Sequence, residues 1–217
     1  MDFEQARFNM VEQQIRPWEV LNPDVLDTLM LVKRELFVPA AQQALAFADI
    51  ELPIGKGQTM LAPKIEAKAL QALAVKSTDS VLEIGTGSGY MAALLAARAE
   101  WVRSIEIEPE LAQFAFENLS RNGVDNVIVE EGDGSLGWAE RAPYDVIMVS
   151  GALPEIPQEL LAQLKHGGRL FAVVGAAPVM HACLVVRTGD DAWQTTELFE
   201  TVIPALRLAQ APDSFRF

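Results

Sequence analysis

An α/β fold is predicted by three features of this 217-residue chain. Short apolar runs alternate with helical patterns from residue 79 onward, which predicts a mostly parallel sheet covered by helices on both faces. The runs VIMV and LFAVV are apolar throughout, as is typical of strands buried on both sides. HACLVVRTG and AWQTTELFETV predict a closing pair of antiparallel strands, whereas the first third of the chain carries helical patterns.

The N-terminal third is predicted to be mainly helical. In NPDVLDTLMLVKRELF, Asn22 can cap a helix and Pro23 fits its first position. Apolar side chains then recur at helical spacing as far as Leu36. A second helix is predicted to begin near Pro63. These elements indicate a helical extension ahead of the sheet.

The IGKGQTMLAP segment (residues 54–63) directly precedes that second helix. Its glycines are typical of a loop, but it carries Met60 and Leu61, apolar side chains that a loop facing water rarely has. It could be a phosphate-binding turn, a lid over a small molecule, or a turn whose apolar side chains only pack beneath it.

The remaining elements follow in regular alternation. Strands are predicted at residues 81–85, 101–108, 126–134, 144–152 and 169–176, and helices at residues 88–99, 109–122 and 157–164. We therefore divide the chain into a helical extension with its loop, residues 1–78, packed on a core formed by residues 79–217.

Composition argues against a nucleic-acid-binding protein and against a metalloprotein. The formal net charge is −13 at pH 7, which argues against nucleic acid as a partner because that binding requires Lys and Arg to cancel phosphate charge. The one cysteine, Cys183, lies in an apolar run and is predicted to be a buried hydrophobic side chain. His166 and His181 have no partner at metal-ligand spacing, so no metal site is expected.

The N-terminal residues are polar and charged and lack the apolar core of a signal peptide. No run approaches the ~18–20 apolar residues of a membrane span. We therefore expect a cytoplasmic location and no membrane partner, while the oligomeric state is left open.

A glycine-rich stretch, EIGTGSGY, follows the first predicted strand of the core. Glycine allows positive φ and close approach of a ligand, and the start of the next helix offers free N–H groups to an anion. The dinucleotide fingerprint G-x-G-x-x-G would need a third glycine at position 90, which is Tyr90. The P-loop pattern also fails, since no Gly-Lys-Ser/Thr follows. A ligand with a smaller anion, such as a carboxylate, is favoured.

Two further carboxylates follow neighbouring strands. Glu106 lies near the end of the second core strand, where it can accept both hydroxyls of a ribose. Asp133, in the GDG turn after the third, can accept from an exocyclic amine such as that of adenine. Together these loops describe a nucleoside that carries a carboxylate and no phosphate, and S-adenosylmethionine matches that description. Glu83 suits its sulfonium charge.

At this point the sequence resembles the protein-L-isoaspartate O-methyltransferases. The stretches that carry the resemblance are MVEQQIR, ELFVP, LPIGKGQT, VLEIGTGSGY, NVIVEEGDGSLGW and APYDVIMVSGALPEIPQELLAQLKHGGRL. They span most of residues 10–175 in the order of that family. The C-terminal stretch FETVIPALRLAQAPDSFRF is only loosely similar to the tail with which the family helps to bind substrate.

The resemblance implies a Rossmann-like S-adenosylmethionine-dependent methyltransferase fold with a helical N-terminal extension. It implies methyl transfer to the α-carboxyl of L-isoaspartyl residues in damaged proteins, with S-adenosylhomocysteine as product; the ester then closes to a succinimide that can reopen as aspartate. The predicted cofactor contacts are Glu83, Gly85, Thr86, Gly87, Ser88, Glu106, Asp133 and Gly134.

The resemblance also implies that the IGKGQTMLAP segment is a lid that meets the substrate carboxyl. The family typically reads GQTIS-x-P there, so Thr59 matches its threonine and is the candidate catalytic residue, whereas its serine falls at Leu61. Leucine cannot donate a hydrogen bond, and the loss of one to a charged group costs about 1.5–3 kcal/mol.

This departure leaves three interpretations open. The protein is a weaker isoaspartyl methyltransferase, a methyltransferase for another acceptor whose apolar part meets Met60 and Leu61, or a cofactor-binding pseudoenzyme. A nicotinamide oxidoreductase is disfavoured by Tyr90.

Overall fold

The computed structural model describes residues 1–209. Its helices are α1 (Phe3–Met10), α2 (Pro23–Leu31), α3 (Pro63–Leu73), α4 (Tyr90–Ala96), α5 (Pro109–Arg121) and α6 (Gln158–Ala162). Its strands are β1 (Leu52–Gly55), β2 (Gln58–Met60), β3 (Ser80–Ile84), β4 (Trp101–Glu106), β5 (Val127–Glu131), β6 (Tyr144–Leu153), β7 (Leu164–Ala176), β8 (Val179–Gly189) and β9 (Ala192–Glu200). The predicted tail beyond residue 209 lies outside the described residues.

The N-terminal extension is helical, as predicted. The Asp2 side chain caps α1 by accepting from two backbone N–H groups, and Asn22 caps α2 in the same way, with Pro23 in its first turn. α2 is shorter than the apolar spacing predicts: it ends at Leu31, and Leu36 belongs to a separate 3₁₀ turn. The cause is Val32, whose backbone is extended.

The description of the IGKGQTMLAP segment as a loop is wrong for most of its length. β1 and β2 pair antiparallel, with Leu52 opposite Met60, to form a hairpin (residues 52–60). Its tip contains Gly55, Lys56 and Gly57, all at positive φ. Glycine at two of these positions allows so tight a reversal, and alternation along β1 buries Leu52 and Ile54.

The main sheet has seven strands in the order β5-β4-β3-β6-β7-β8-β9. The first five are parallel and the last two are antiparallel, which confirms the predicted topology. Alternate residues of the central strands face opposite cores. One core packs beneath the N-terminal extension with α3, α4 and α5, and the other packs beneath α6.

Several boundaries differ from the sequence pattern. β4 ends at Glu106 and β5 at Glu131, each before the predicted end, which leaves short loops at the carboxyl edge of the sheet. β7 begins at Leu164 rather than at residue 169, so residues 165–168, which separate the predicted helix from the predicted strand, lie inside this strand.

The parallel strands direct their carboxyl ends to one edge. Residues 201–209, the C-terminal crossing segment, return over this edge and pair with the end of β6. The Ala152 N–H donates to the Pro204 carbonyl at 2.8 Å, and the Leu206 N–H donates to the Ala152 carbonyl at 2.8 Å. A crevice lies between the strand ends, the hairpin and the C-terminal crossing segment.

Among residues 1–209, no helix is both long and apolar enough to span a bilayer. Over the same range, no three His, Cys, Asp or Glu side chains are grouped as metal ligands would be.

Candidate functional site

The glycine loop (residues 85–89) connects β3 to α4 and forms one side of the crevice. Gly85, Gly87 and Gly89 have φ values of 88°, 55° and 83°, which other residues rarely adopt. A Cβ at Gly89 would lie 3.3 Å from Ala115 on α5, so the loop also packs too closely for a side chain there. Gly85 and Gly87 line the crevice with backbone atoms alone.

Glu106 lies at the carboxyl end of β4 and lines the same crevice. The side chain is held at both oxygens: Oε2 accepts from the Gly87 N–H at 2.8 Å, and Oε1 accepts from the Glu108 N–H at 3.0 Å. Each carboxylate oxygen can accept more than one hydrogen bond. The geometry therefore joins β4 to the glycine loop and leaves acceptor capacity for a ligand.

Asp133 and Gly134 follow β5 and close the far end of the crevice. Asp133 accepts from the Ser135 N–H at 2.9 Å, which fixes its turn. A Cβ at Gly134 would lie 3.0 Å from Ile84 Cγ2, so the turn can approach β3 only without a side chain. The structure thus brings together the three strand-end loops that the sequence predicts.

Glu83, Thr86 and Ser88 are buried and line a smaller cavity that shares Gly85 and Gly87 with the crevice. The Ser104 hydroxyl donates to Glu83 at 2.6 Å and lies 2.6 Å from the Thr86 hydroxyl, while Ser150 donates to Glu83 at 3.2 Å. Burial raises the pKa of Glu83 to about 8 because the charged form loses its hydration. Glu83 is therefore mostly neutral at pH 7 and supports the loop from below.

The hairpin covers the crevice from the other side. Thr59 lines the crevice, and its hydroxyl donates to the Glu51 carboxylate at 3.2 Å. Leu61 is 5% exposed and also lines it. At the two positions that the resemblance predicts to meet the substrate, the side chains are thus an isobutyl group and a hydroxyl that donates to another carboxylate.

The C-terminal crossing segment completes the crevice; the resemblance related this stretch loosely to substrate binding, but its contacts were not predicted. Leu206 lies over the strand ends, 3.5 Å from where a Cβ of Gly85 would be. Arg207 Nη1 lies 2.9 Å from Glu108, and Arg207 Nη2 donates to the Lys56 carbonyl at 3.0 Å, which joins this segment to the hairpin. No local pattern indicates these contacts, because the paired residues are far apart in the chain.

Ser150 and Gly151, at the end of β6, are crevice residues that the sequence analysis also missed. The rule that ligands bind at the carboxyl ends of parallel strands applies to β6 as well and would have identified them.

The crevice encloses about 650 Å³ free of protein atoms, part of it open to solvent. The charged side chains that line it, among the described residues, are Glu106, Asp133 and Arg207. It offers backbone amides, hydrogen-bond acceptors and apolar walls, which suit binding and orientation of a nucleoside-like molecule. The sheet order with its antiparallel end, together with this crevice, defines the class of S-adenosylmethionine-dependent methyltransferases.

Within that class, the chain belongs to the family Protein-L-isoaspartate(D-aspartate) O-methyltransferase (PCMT), whose profile matches residues 5–206. This confirms the resemblance drawn from the motifs. A protein-L-isoaspartate O-methyltransferase from Methanoculleus marisnigri is 50% identical, with 87% of this chain and 94% of the relative covered. A second, from Pelobacter propionicus, is 44% identical over 90% of this chain and 87% of its own.

The fold is also found in solved structures. A protein-L-isoaspartate O-methyltransferase from Plasmodium falciparum, determined in complex with S-adenosyl-L-homocysteine, superposes with a TM-score of 0.81 at 19% identity, covering 95% of this chain and 99% of that one. Another protein-L-isoaspartate O-methyltransferase superposes with a TM-score of 0.79 at 27% identity, covering 92% of this chain and 65% of its own.

Proposed function

We propose that this protein transfers the methyl group of S-adenosylmethionine to the α-carboxyl group of L-isoaspartyl residues in damaged proteins. The observation that carries the proposal is the convergence of the three strand-end loops on one crevice beneath the hairpin, in a chain of this family. The methyl ester can close to a succinimide and reopen as aspartate, so the reaction serves protein repair.

The cofactor is proposed to lie along the edge of the sheet. Its amino-acid end meets the backbone of Gly85 and Gly87, its ribose hydroxyls donate to Glu106, and its adenine amine donates to Asp133. Thr86, Ser88 and Gly134 shape the loops that make these contacts. Glu83 acts from beneath through Ser104 and Ser150, because both of its oxygens are already hydrogen-bonded there.

The reaction requires little acid–base chemistry from the protein. A carboxyl group with a pKa near ~4 is ionised at neutral pH and is already the nucleophile. Its oxygen forms a bond to the methyl carbon as the carbon–sulfur bond breaks, and the electron pair stays on sulfur to give neutral S-adenosylhomocysteine. Orientation of the three atoms in line and exclusion of water supply the acceleration, up to about 7–11 kcal/mol in the best intramolecular cases.

The hairpin is proposed to hold the acceptor. Thr59 is the hydroxyl that remains in this motif, but its donation to Glu51 must be exchanged for one to the substrate. This exchange and the missing hydroxyl at Leu61 predict weak binding of the isoaspartyl carboxylate.

The test is labelled methyl transfer to an isoaspartyl peptide beside its aspartyl twin. We expect base-labile label in the isoaspartyl peptide alone. If a preparation that binds S-adenosylhomocysteine labels neither peptide, the proposal is wrong.

The environment of Thr59 and Leu61 favours one second candidate, a methyltransferase of this family with a less polar acceptor. That candidate predicts transfer to another peptide or small molecule under conditions in which the isoaspartyl peptide stays unlabelled. A pseudoenzyme predicts cofactor binding with no transfer to any acceptor.

We also propose a cytoplasmic location. The acidic composition and the single cysteine, which permits no internal disulfide, support it. Fractionation of cells that produce the protein would test this.

A further inference from the structure

Arg34 is a fully buried cation to which the sequence analysis assigned no role. Its side chain is 0% exposed. Nε donates to the Ala46 carbonyl at 2.9 Å, Nη1 is paired with Glu66 of α3, and Nη2 donates to the Leu61 carbonyl at 2.5 Å. Each nitrogen of the guanidinium therefore has a partner on a different segment of the chain.

The same guanidinium also lies over the aromatic ring of Tyr90, the residue that follows the glycine loop. The Arg34 carbon Cζ is 5.0 Å from the centre of the Tyr90 ring, a distance typical of a cation–π contact. Tyr90 is the first residue of α4 and follows Gly89 directly. Arg34 thus contacts both the segment that follows the hairpin, at Leu61, and the helix that follows the glycine loop, at Tyr90.

A second buried ion pair provides a comparison within the same molecule. Arg7 of α1 is paired with Glu35, and their side chains are 4% and 3% exposed. Arg7 is bonded to this one carboxylate, and neither residue lines the crevice. Both ion pairs join segments within the N-terminal extension, but only Arg34 also bonds a residue that lines the crevice.

We propose that Arg34 is a positioning residue that holds the backbone at Leu61, so that the side chain at this position faces the crevice and the hairpin stays over it. The proposal rests on the proposed function, because its consequence for catalysis is the placement of the acceptor against the methyl group. Arg34 itself does not line the crevice.

Arginine suits this role for a geometric reason. Its guanidinium presents donors in a rigid plane, so it can bond a carboxylate, two carbonyls and an aromatic face at once. A lysine ammonium is a compact charge at the end of a flexible stem and cannot reach partners on three segments together. Arg34→Lys therefore keeps the charge beside Glu66 but loses the fixed bond to Leu61.

The test compares Arg34→Lys with its matched control, Arg7→Lys. Three quantities are measured: the rate of tryptic cleavage after Lys56 at the hairpin tip, S-adenosylhomocysteine affinity, and kcat and KM for an isoaspartyl peptide. For Arg34→Lys we expect cleavage about tenfold faster, because a released segment opens more often. We expect affinity about threefold to tenfold weaker, and kcat lowered about tenfold or more because misplaced groups react slowly.

Arg7→Lys is expected to lower Tm to a similar extent and to leave all three quantities within about twofold of the parent. A second pair of variants separates the loss of the Arg34 bonds from a general loss of stability. R34M/E66M and R7M/E35M each replace a buried ion pair by apolar side chains, a change that is often neutral for stability. R34M/E66M should reproduce the effects of Arg34→Lys, and R7M/E35M should not.

Unchanged cleavage and affinity in both Arg34 variants would overturn the proposal, as would equal changes in the Arg7 variants. If the parent protein methylates no isoaspartyl peptide, the proposed function fails, while cleavage and affinity still decide the role of Arg34.

Discussion

The two sides of the crevice are built differently. The strand-end side consists of short loops after β3, β4 and β5, and its key carboxylate, Glu106, is 6% exposed and held by two backbone N–H groups. The hairpin side is joined to the C-terminal crossing segment by Arg207, whose side chain is 41% exposed. Exposed ion pairs contribute only about 0–1 kcal/mol. The strand-end loops are therefore joined through a buried carboxylate that accepts from backbone N–H groups, whereas the bond from the C-terminal crossing segment to the hairpin is exposed.

The comparison also explains where the chain departs from its family's motifs. The glycine loop keeps its pattern because backbone approach, positive φ and packing on α5 all restrict it. At position 61 Arg34 bonds the backbone carbonyl, while the leucine side chain is buried and belongs to the larger hydrophobic core.

The largest effect is expected on the strand-end side. Glu106→Ala should weaken S-adenosylhomocysteine binding about tenfold to a hundredfold, because the Gly87 N–H loses its charged acceptor and the proposed contact with the ribose is removed. Calorimetry measures this. The control is Glu108→Ala, which removes the partner of Arg207 but does not line the crevice; its affinity should change by less than about twofold. Equal losses in both variants would contradict the division between the two sides.

Leu61→Ser tests whether a hydroxyl on the hairpin side limits the reaction. The new hydroxyl should raise kcat/KM for an isoaspartyl peptide about tenfold, because a hydrogen bond to a charged group contributes about 1.5–3 kcal/mol. Cofactor affinity should stay unchanged. Leu61→Ala is the control, since it creates the same space without a donor. If serine and alanine variants turn over peptide equally, hydrogen bonding at position 61 is not what limits the reaction.

The buried carboxyl beneath the glycine loop predicts a pH dependence. The unfolded pKa of Glu83 is about 4.5 and burial raises the folded pKa to about 8. Its stabilising contribution is complete below about pH 4.5 and is lost as pH rises through 8, since unfolding then releases a proton. The Tm of Glu83→Gln, relative to the parent, should therefore rise between pH 5 and 8. A constant difference over that range means that Glu83 is ionised in the folded protein.

The smallest effect is expected from Arg207, whose exposed side chain joins the C-terminal crossing segment to the hairpin and to the loop after β4. Arg207→Gln should change the free energy of unfolding by less than about 1 kcal/mol, because the ion pair with Glu108 is screened by water and salt. Urea denaturation measures it. A loss of several kcal/mol would show that the exposed bonds of Arg207 contribute as much as buried ones.

Much of the fold was predictable because its signals are local. Apolar runs, glycines at strand ends and helix caps predicted the order of β3 to β9, and the parallel arrangement then required Gly85, Glu106 and Asp133 to share one edge. Tyr90 correctly indicated that the glycine loop departs from the dinucleotide-binding fingerprint, but nothing in the sequence indicated that its ring would contact Arg34. The hairpin was missed because its strands are short and its glycines are typical of a loop.

The α/β fold class, the three strand-end loops and the family could be predicted from the sequence, since each depends on residues close together in the chain or on a rule common to all parallel sheets. The bond from the Thr59 hydroxyl to Glu51, the burial that raises the pKa of Glu83 to about 8, and the pairing of Arg207 with Glu108 became apparent only in the folded chain. These properties depend on burial and on contacts between distant segments, which leave no periodic pattern in the sequence.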